Sequence, residues 1–155
     1  MSLDLSLNDI RDESAISLGQ KLSQLYQLQK LKLSLKNNFI SDKGMGSLIT
    51  YLSTLPSLRT LHIELCRNTF ETNNLFLIPP SLRTLHNESC RNTFETNNLF
   101  LLSKCLSRLN DIKELTLQLT ESNIDNAGAK NIAIGLYSLK GLESLTLNLE
   151  INNIG

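Results

Sequence analysis

The stretch LKLSLKNNFI, residues 31–40, alternates leucine with polar residues and then closes on an asparagine and an isoleucine. Alternation with a period of two is typical of a β-strand that buries one of its faces. Closely similar stretches begin at residues 3, 61, 85, 115 and 145. A motif that returns at a nearly fixed spacing predicts an array of similar structural units, each too small to bury its apolar face alone.

Helical spacing separates these strand stretches. After Ile124 the apolar or small residues are Gly128, Ile132, Leu136 and Leu139, three or four positions apart, as in a helix that buries one stripe. The same spacing predicts four helices, near residues 13–24, 43–54, 96–107 and 127–138. Strands that are joined in one sense through helices lie parallel, so the sequence predicts an α/β protein with a parallel sheet.

The third apolar position of each strand stretch marks the repeat. These positions are Leu5, Leu35, Leu65, Ser89, Leu119 and Leu149, so the spacings are 30, 30, 24, 30 and 30 residues. Three residues further on, the chain has Asn8, Asn38, Asn68, Asn92, Ser122 and Asn152. An amide at this corner can pair with backbone groups that leave the strand ladder, so we expect it to link one unit to the next.

The stretches LKLSLKNNFI and LTLNLEINNI, the latter at residues 145–154, resemble the leucine-rich repeat consensus LxxLxLxxNxL with one extra alternating leucine. Units of 30 residues are similar to the ribonuclease-inhibitor-like subtype of that family. The resemblance covers essentially the whole chain and implies a leucine-rich repeat solenoid, a curved parallel sheet with helices on its convex side. We expect residues 1–155 to form one such domain, an uncapped fragment of a horseshoe.

Two neighbouring blocks of the chain, residues 56–77 and 80–101, are near-copies of each other. They differ at two positions, Ile63 and Leu65 in the first copy against Asn87 and Ser89 in the second. The repeat register assigns both positions to the core. Each lost aliphatic side chain forgoes about 1.5–3 kcal/mol of burial, so we expect a local fault in the second copy.

The spacing of 24 residues between the copies indicates a tandem duplication, with residues 66–89 as a shortened unit. Removal of that unit would restore an unbroken period of 30. Pro79 and Pro80 stand where the other units continue their helix, and two prolines deny a helix its later hydrogen bonds. We therefore expect a short helix or only a turn in the third unit.

The composition narrows the classes of function. Fifteen basic and fifteen acidic residues give zero formal net charge, which leaves no surplus to neutralise phosphate. The sequence therefore argues against nucleic acid and anionic membranes as partners. No apolar run approaches the roughly 20 residues that span a bilayer, and the first residues lack the order of a secretory signal. We expect a cytoplasmic protein.

The three cysteines form no CxxC pair, and two of them, Cys66 and Cys90, are copies of one residue. This pattern predicts neither a disulfide framework nor a zinc ribbon, so we expect reduced thiols. Cys105 lies on a predicted helix, where a small apolar filler is expected.

The resemblance implies that side chains alternating with the core leucines form a concave surface that binds a protein partner. The expected partner-binding residues are Lys32, Ser34, Lys36, His62, Glu64, His86, Glu88, Thr116, Gln118, Thr146 and Asn148. Such positions are expected to be exposed on a rigid frame and free to vary without cost to the core. The main functional hypothesis is therefore a protein–protein interaction module within a larger protein.

The alternative hypothesis is a metal- or thiol-dependent site on the duplicated face. The copies place His62 beside His86 and Glu64 beside Glu88, about 4.8 Å apart on neighbouring strands, and zinc accepts both ligand types. Copying alone accounts for this repetition, however, and the sequence identifies no neighbouring residues that would hold the four side chains in place. We assign no metal ligand, no cofactor and no catalytic residue.

The sequence contains no GxSxG, Walker loop, GxGxxG or HExxH motif, and it predicts no enzyme. A third hypothesis is a decaying repeat fragment without selected activity, which polar residues at core positions would suit. The terminal strands lack the polar caps of solenoids, so self-association through their edges is also expected.

Overall fold

The computed structural model describes residues 1–69, 79–91 and 102–155. Within these residues the chain forms six β-strands: β1 Ser2–Asp4, β2 Lys30–Ser34, β3 Thr60–Glu64, β4 Thr84–Glu88, β5 Glu114–Gln118 and β6 Ser144–Asn148. The helices are α1 Asp12–Leu22, α2 Asp42–Ser53, α3 with described residues 102–106, and α4 Asn126–Tyr137. The short helix or turn predicted for the third unit falls on residues 70–78, outside the described residues.

All six strands form one parallel sheet in the order of the chain, β1 to β6. The register aligns the leucines across the sheet, with Leu31 opposite Leu61, Leu61 opposite Leu85, and Leu85 opposite Leu115. The predicted α/β class and parallel sheet are confirmed. The duplicated unit is shorter than the others, but the register between β3 and β4 is intact, because the difference in length falls between the two strands.

The core lies on one side of the sheet, between the strand leucines and the helices. Leu33, Ile63 and Leu117 are completely buried, and so are Leu48 and Leu52 of α2. Because strand residues alternate between faces, one row of aliphatic side chains enters this core while the intervening residues lie on the other face.

Glycine allows the helices to pack closely side by side. A methyl group on Gly19 of α1 would lie 3.1 Å from the Leu48 Cα of α2. A methyl group on Gly135 of α4 would lie 2.8 Å from the Ser103 Cα of α3. An alanine at Gly135 would therefore force its neighbours to shift, whereas one at Gly19 would only require α2 to give slightly.

Each strand ends in the same turn. The backbone N–H of each repeat position donates to the next strand, Leu5 to Ser34 O, Leu35 to Glu64 O, Leu65 to Glu88 O, Ser89 to Gln118 O and Leu119 to Asn148 O. Two residues later φ is positive, between 52° and 57°, at Leu7, Asn37, Arg67, Arg91, Glu121 and Ile151. A left-handed residue costs roughly 1–2 kcal/mol without glycine, so packing of the units imposes this turn.

The corner asparagines link consecutive units as predicted. Asn38 Nδ2 donates to Leu5 O and Leu35 O, both at 3.0 Å, and its Oδ1 accepts from the Ile10 N–H at 3.0 Å. Asn68 and Asn152 make the equivalent bonds. Asn92 lies outside the described residues. These amides satisfy backbone groups that have left the sheet.

The second copy of the duplicated block carries the predicted polar core residues. Asn87 is completely buried and Ser89 is 2% exposed. The Ser89 hydroxyl donates to Asn87 Oδ1 at 3.0 Å, whereas Asn87 Nδ2 has no hydrogen-bond partner among the described residues. An unpaired buried amide costs roughly 1–3 kcal/mol. The predicted polar residues are therefore buried in the core, and their cost to stability stays a prediction.

At the end of the sheet, β6 exposes side chains that are buried in the other strands. Leu145 is 45% exposed and Leu147 37% exposed, although their register partners Leu115 and Leu117 are buried. Self-association through this edge stays a prediction. Within the described ranges, no helix has both the length and the apolar character that crossing a bilayer requires.

Candidate functional site

Polar side chains form a row on the sheet face opposite the core. Ten of the eleven predicted partner-binding residues lie on β2 to β6, in pairs such as Lys32 and Ser34 on β2, and Lys36 follows two residues after that strand. The pairs stand in register, so His62 is opposite His86 and Glu64 is opposite Glu88. We call this row the polar face.

Two of these predicted residues are buried. Ser34 is 4% exposed and Glu64 is 8% exposed, because the long side chains of their neighbours cover them. The expectation that every position of the row is open to solvent is therefore wrong for this pair.

Glu64 is the centre of a network of charged hydrogen bonds. Its Oε2 accepts from Ser34 Oγ and from Lys36 Nζ, both at 2.9 Å, and its Oε1 lies 3.2 Å from Lys32 Nζ. Burial opposes ionisation, but the hydrogen bonds from Lys36, Ser34 and Lys32 outweigh it and lower the pKa of Glu64 to about 2. Glu64 is therefore a fixed negative charge at neutral pH.

Lys36 bridges the two copies of the duplicated glutamate. Its Nζ lies 2.9 Å from Glu64 Oε2 and 2.9 Å from Glu88 Oε2. Burial opposes protonation of Lys36, but the bonds to both carboxylates raise its pKa. Lys36 therefore offsets the repulsion between the two carboxylates. Arg91 pairs instead with Glu121, at 2.9 Å.

The two histidines stack on each other beside this network. The ring centroids of His62 and His86 are 4.0 Å apart and the planes differ by 23°. His86 Nε2 lies 3.0 Å from Glu88 Oε1 in a hydrogen bond. His62 Nε2 lies 3.0 Å from Glu64 Oε1 and 3.9 Å from Glu88 Oε1. Burial, His86 and Lys32 lower the pKa of His62, so its ring is neutral at neutral pH.

The second half of the polar face is uncharged on its strands. Thr116 and Gln118 on β5 are half-buried, and Thr146 on β6 is exposed. Asn148 Oδ1 accepts from the Glu150 N–H at 2.9 Å, and Asn148 Nδ2 donates to Glu150 Oε2 at 3.4 Å. The face thus changes from a charged network on β2 to β4 to neutral hydrogen-bonding groups on β5 and β6.

The expectation of reduced thiols is wrong for the duplicated pair. Cys66 and Cys90 form a disulfide, with their Cα atoms 4.7 Å apart. Parallel neighbours at equal register positions lie at about this distance, which a disulfide accepts. Joined in this way, the pair has no thiolate for chemistry, and burial raises the pKa of the remaining thiol, Cys105, to about 11.

A cleft opens beside the disulfide, where the chain leaves the strands. Its volume is about 520 Å³, and Lys36, Arg67, Arg91, Glu88 and Glu121 contribute charged groups to its walls. Positive and negative charges are mixed in it, and Arg91 is held by Glu121. The cleft therefore extends the mixed chemistry of the polar face and has no charge preference of its own.

Two functional features were missed although the sequence contained a signal for one. The register argument that places His62 beside His86 also places Cys66 beside Cys90, so the disulfide could have been found. The bridge made by Lys36 had no such signal, because it depends on the reach of one long side chain across two strands.

No protein-family model matches the sequence, and a search of curated proteins returned no match. The function of the polar face is therefore argued from its geometry.

Proposed function

We propose that the protein is a solenoid of the leucine-rich repeat type and that its polar face binds a protein partner. The observation that carries the proposal is the polar face itself, a continuous row across β2 to β6 with the helices packed on the opposite side of the sheet. Five strands at a spacing of about 4.8 Å give the row a width of about 19 Å. This exceeds the diameter of a helix, about 10–12 Å, and suits a protein surface.

The solenoid part of the proposal is supported by the repetition of detail. The same inter-strand hydrogen bond, the same left-handed turn and the same asparagine bonds recur from unit to unit. Stacked units of this kind make a rigid frame, and side chains on a rigid frame lose little entropy on binding.

The chemistry of the face supports a protein partner. Arginine- or lysine-rich surfaces bind nucleic acid, whereas here Lys32 and Lys36 are neutralised by Glu64 and Glu88. The neutral groups of Thr116 and Gln118 continue the row and have polar side chains suited to hydrogen bonds with a partner backbone. We expect the charged half to set orientation and the neutral half to supply direct contacts.

The test is affinity capture from a lysate of cells that express the protein, followed by quantitative mass spectrometry. The variant Thr116→Arg/Thr146→Arg places two bulky charges on the neutral half of the face and leaves every residue of the network around Glu64 in place. The matched control, Ala127→Arg/Ala133→Arg, adds the same charges at exposed positions of α4. Circular dichroism verifies that both variants fold.

A partner that uses the polar face is captured by the unmodified protein and by the α4 variant but is lost from the Thr116→Arg/Thr146→Arg variant. Its direct binding is then measured with purified components, where we expect at least about tenfold weaker affinity for the same variant. If every captured protein is retained by the face variant, the proposed surface is wrong.

A further inference from the structure

The duplicated strands bring three metal-ligating atoms together on the polar face. They are His62 Nε2, His86 Nε2 and Glu88 Oε1, and all lie within 4.8 Å of one another. The sequence alone gave no reason to prefer a metal site over simple copying. The structure adds the distances between the atoms and the surroundings of His62 Nε2, and these permit a stronger inference.

The spacing of the three atoms matches the size of a zinc site. Zinc binds nitrogen and oxygen at about 2.0–2.2 Å in a tetrahedron, which places any two ligand atoms about 3.3 Å apart. Glu88 Oε1 lies 3.0 Å from His86 Nε2 and 3.9 Å from His62 Nε2. The two distances bracket the ideal value, and the two imidazole nitrogens lie within 4.8 Å of each other, so the stacked rings reach a common ion once they tilt toward it.

His62 Nε2 provides the second observation. This atom is buried and makes no hydrogen bond with any described residue, although Glu64 Oε1 is 3.0 Å away at ion-pair distance. A buried polar nitrogen without a hydrogen bond is costly, and an ion is one way to satisfy it.

We propose that His62, His86 and Glu88 form a binding site for a divalent transition-metal ion, with Zn²⁺ as the best fit. Two imidazoles and one carboxylate are a ligand set that zinc accepts, and the fourth position is left for water or a partner's side chain. Lys36 Nζ lies 2.9 Å from Glu88 Oε2, the other oxygen of that carboxylate, and so orients Oε1 toward the histidines.

The site uses residues that both copies of the duplicated block contain. Each copy supplies one histidine, and the second copy adds the carboxylate, so the arrangement exists only because the block is doubled. The proposal does not depend on a protein partner or on the repeat family. A metal ion here would hold β3 and β4 together on the polar face, as the disulfide does beyond the strand ends.

The test is a zinc titration by isothermal calorimetry at neutral pH. The protein carries no histidine tag and is kept oxidised, because freed thiols of Cys66 and Cys90 would bind zinc themselves. We expect one zinc ion per chain. His62→Ala, His86→Ala and Glu88→Gln should each weaken binding by at least about tenfold, since even outer-shell losses cost 10–100-fold.

The matched control is Thr116→Ala, because Thr116 is the register partner of His86 on β5 and offers no metal ligand at neutral pH. Its zinc affinity should equal that of the unmodified protein. A readout that does not depend on variant folding is the histidine ring proton spectrum of the unmodified protein, in which zinc should shift both rings together. Absence of zinc binding, or stoichiometric binding that survives in His62→Ala/His86→Ala, would overturn the site.

Discussion

Strands β3 and β4 have almost the same sequence, but the second copy is polar at core positions where the first is apolar. On the polar face both present a histidine and a glutamate, and beyond the strand both end in a cysteine of the shared disulfide. In the core, β3 and the residue after it supply Ile63 and Leu65, whereas β4 and the residue after it supply Asn87 and Ser89. The comparison teaches that the surface chemistry of a unit and the composition of its core vary independently.

The same residue also behaves differently in the two copies. Glu64 is 8% exposed and receives bonds from three neighbours on β2 and after it, whereas Glu88 shares Lys36 and bonds to His86. The neighbours differ because β3 follows a lysine-bearing strand and β4 follows β3. Position in the array therefore sets the electrostatics of a duplicated side chain.

The largest effect is expected from exchanging the core residues between the copies. Ile63→Asn/Leu65→Ser makes the first copy resemble the second and removes two buried aliphatic side chains. We expect the free energy of unfolding to fall by about 3–6 kcal/mol, because a buried aliphatic contributes about half of that. Chemical denaturation followed by circular dichroism measures the change.

The reverse exchange, Asn87→Ile/Ser89→Leu, is the control for this comparison. It removes the buried amide of Asn87, which has no hydrogen-bond partner in the part of the chain that the structure describes, and should raise the free energy of unfolding. The gain should be smaller than the loss from the first exchange, since neighbours must make room for larger side chains. If the second exchange destabilises the protein, the polar copy is accommodated by its surroundings and is not a fault.

The sequence predicts the sheet and its register because leucines at a period of two can enter the core in only one alignment. A slip of one residue would turn Leu33 and Leu117 toward solvent. The corner asparagines are equally predictable, because backbone groups beyond the end of a strand need hydrogen-bond partners and an amide such as that of Asn38 supplies them. In contrast, nothing in the side chains of Leu7 or Ile151 favours a positive φ, which only the packing of units imposes.

The site was less predictable than the fold for two physical reasons. The burial of Glu64 depends on the rotamers of Lys32 and Lys36. A lysine side chain has many rotamers, and the sequence does not show which one it adopts. The register places Cys66 beside Cys90 and could have predicted the disulfide, but the absence of a CxxC pair led to the expectation of reduced thiols. A duplicated cysteine in a parallel array places two copies at disulfide distance.

A smaller effect is expected from the covalent link between the copies. Cys66 and Cys90 are 24 residues apart, and closing a loop of that length stabilises the folded state by about 3 kcal/mol through loss of chain entropy in the unfolded state. Cys66→Ser/Cys90→Ser should lower the free energy of unfolding by this amount, measured by thermal and chemical denaturation.

The control for the disulfide is the response to a reductant. Reduction should lower the thermal midpoint of the unmodified protein and leave that of Cys66→Ser/Cys90→Ser unchanged, because Cys105 is buried and unpaired with another cysteine. Equal midpoints for the oxidised protein and the double variant would mean that the link adds nothing to what the register already holds.

The smallest of the three effects is the difference between the two glutamates in how they make stability depend on acid pH. The folded-state pKa of Glu64 is lowered from 4.5 to about 2, so its contribution to stability is present above pH 4.5 and is lost as pH falls toward 2. We expect Glu64 to account for about 2–3 kcal/mol of the loss over that window. Chemical denaturation at a series of pH values measures it.

Glu64→Gln should flatten the pH dependence over that window, whereas Glu88→Gln should flatten it less, because Glu88 shares Lys36 with Glu64 and is more exposed. The variants carry the same change at register partners, so differences between their slopes come from surroundings and not from chemistry. If the two slopes are equal, the position of a copy in the array does not control its charge, and the contrast between β3 and β4 lies in the core alone.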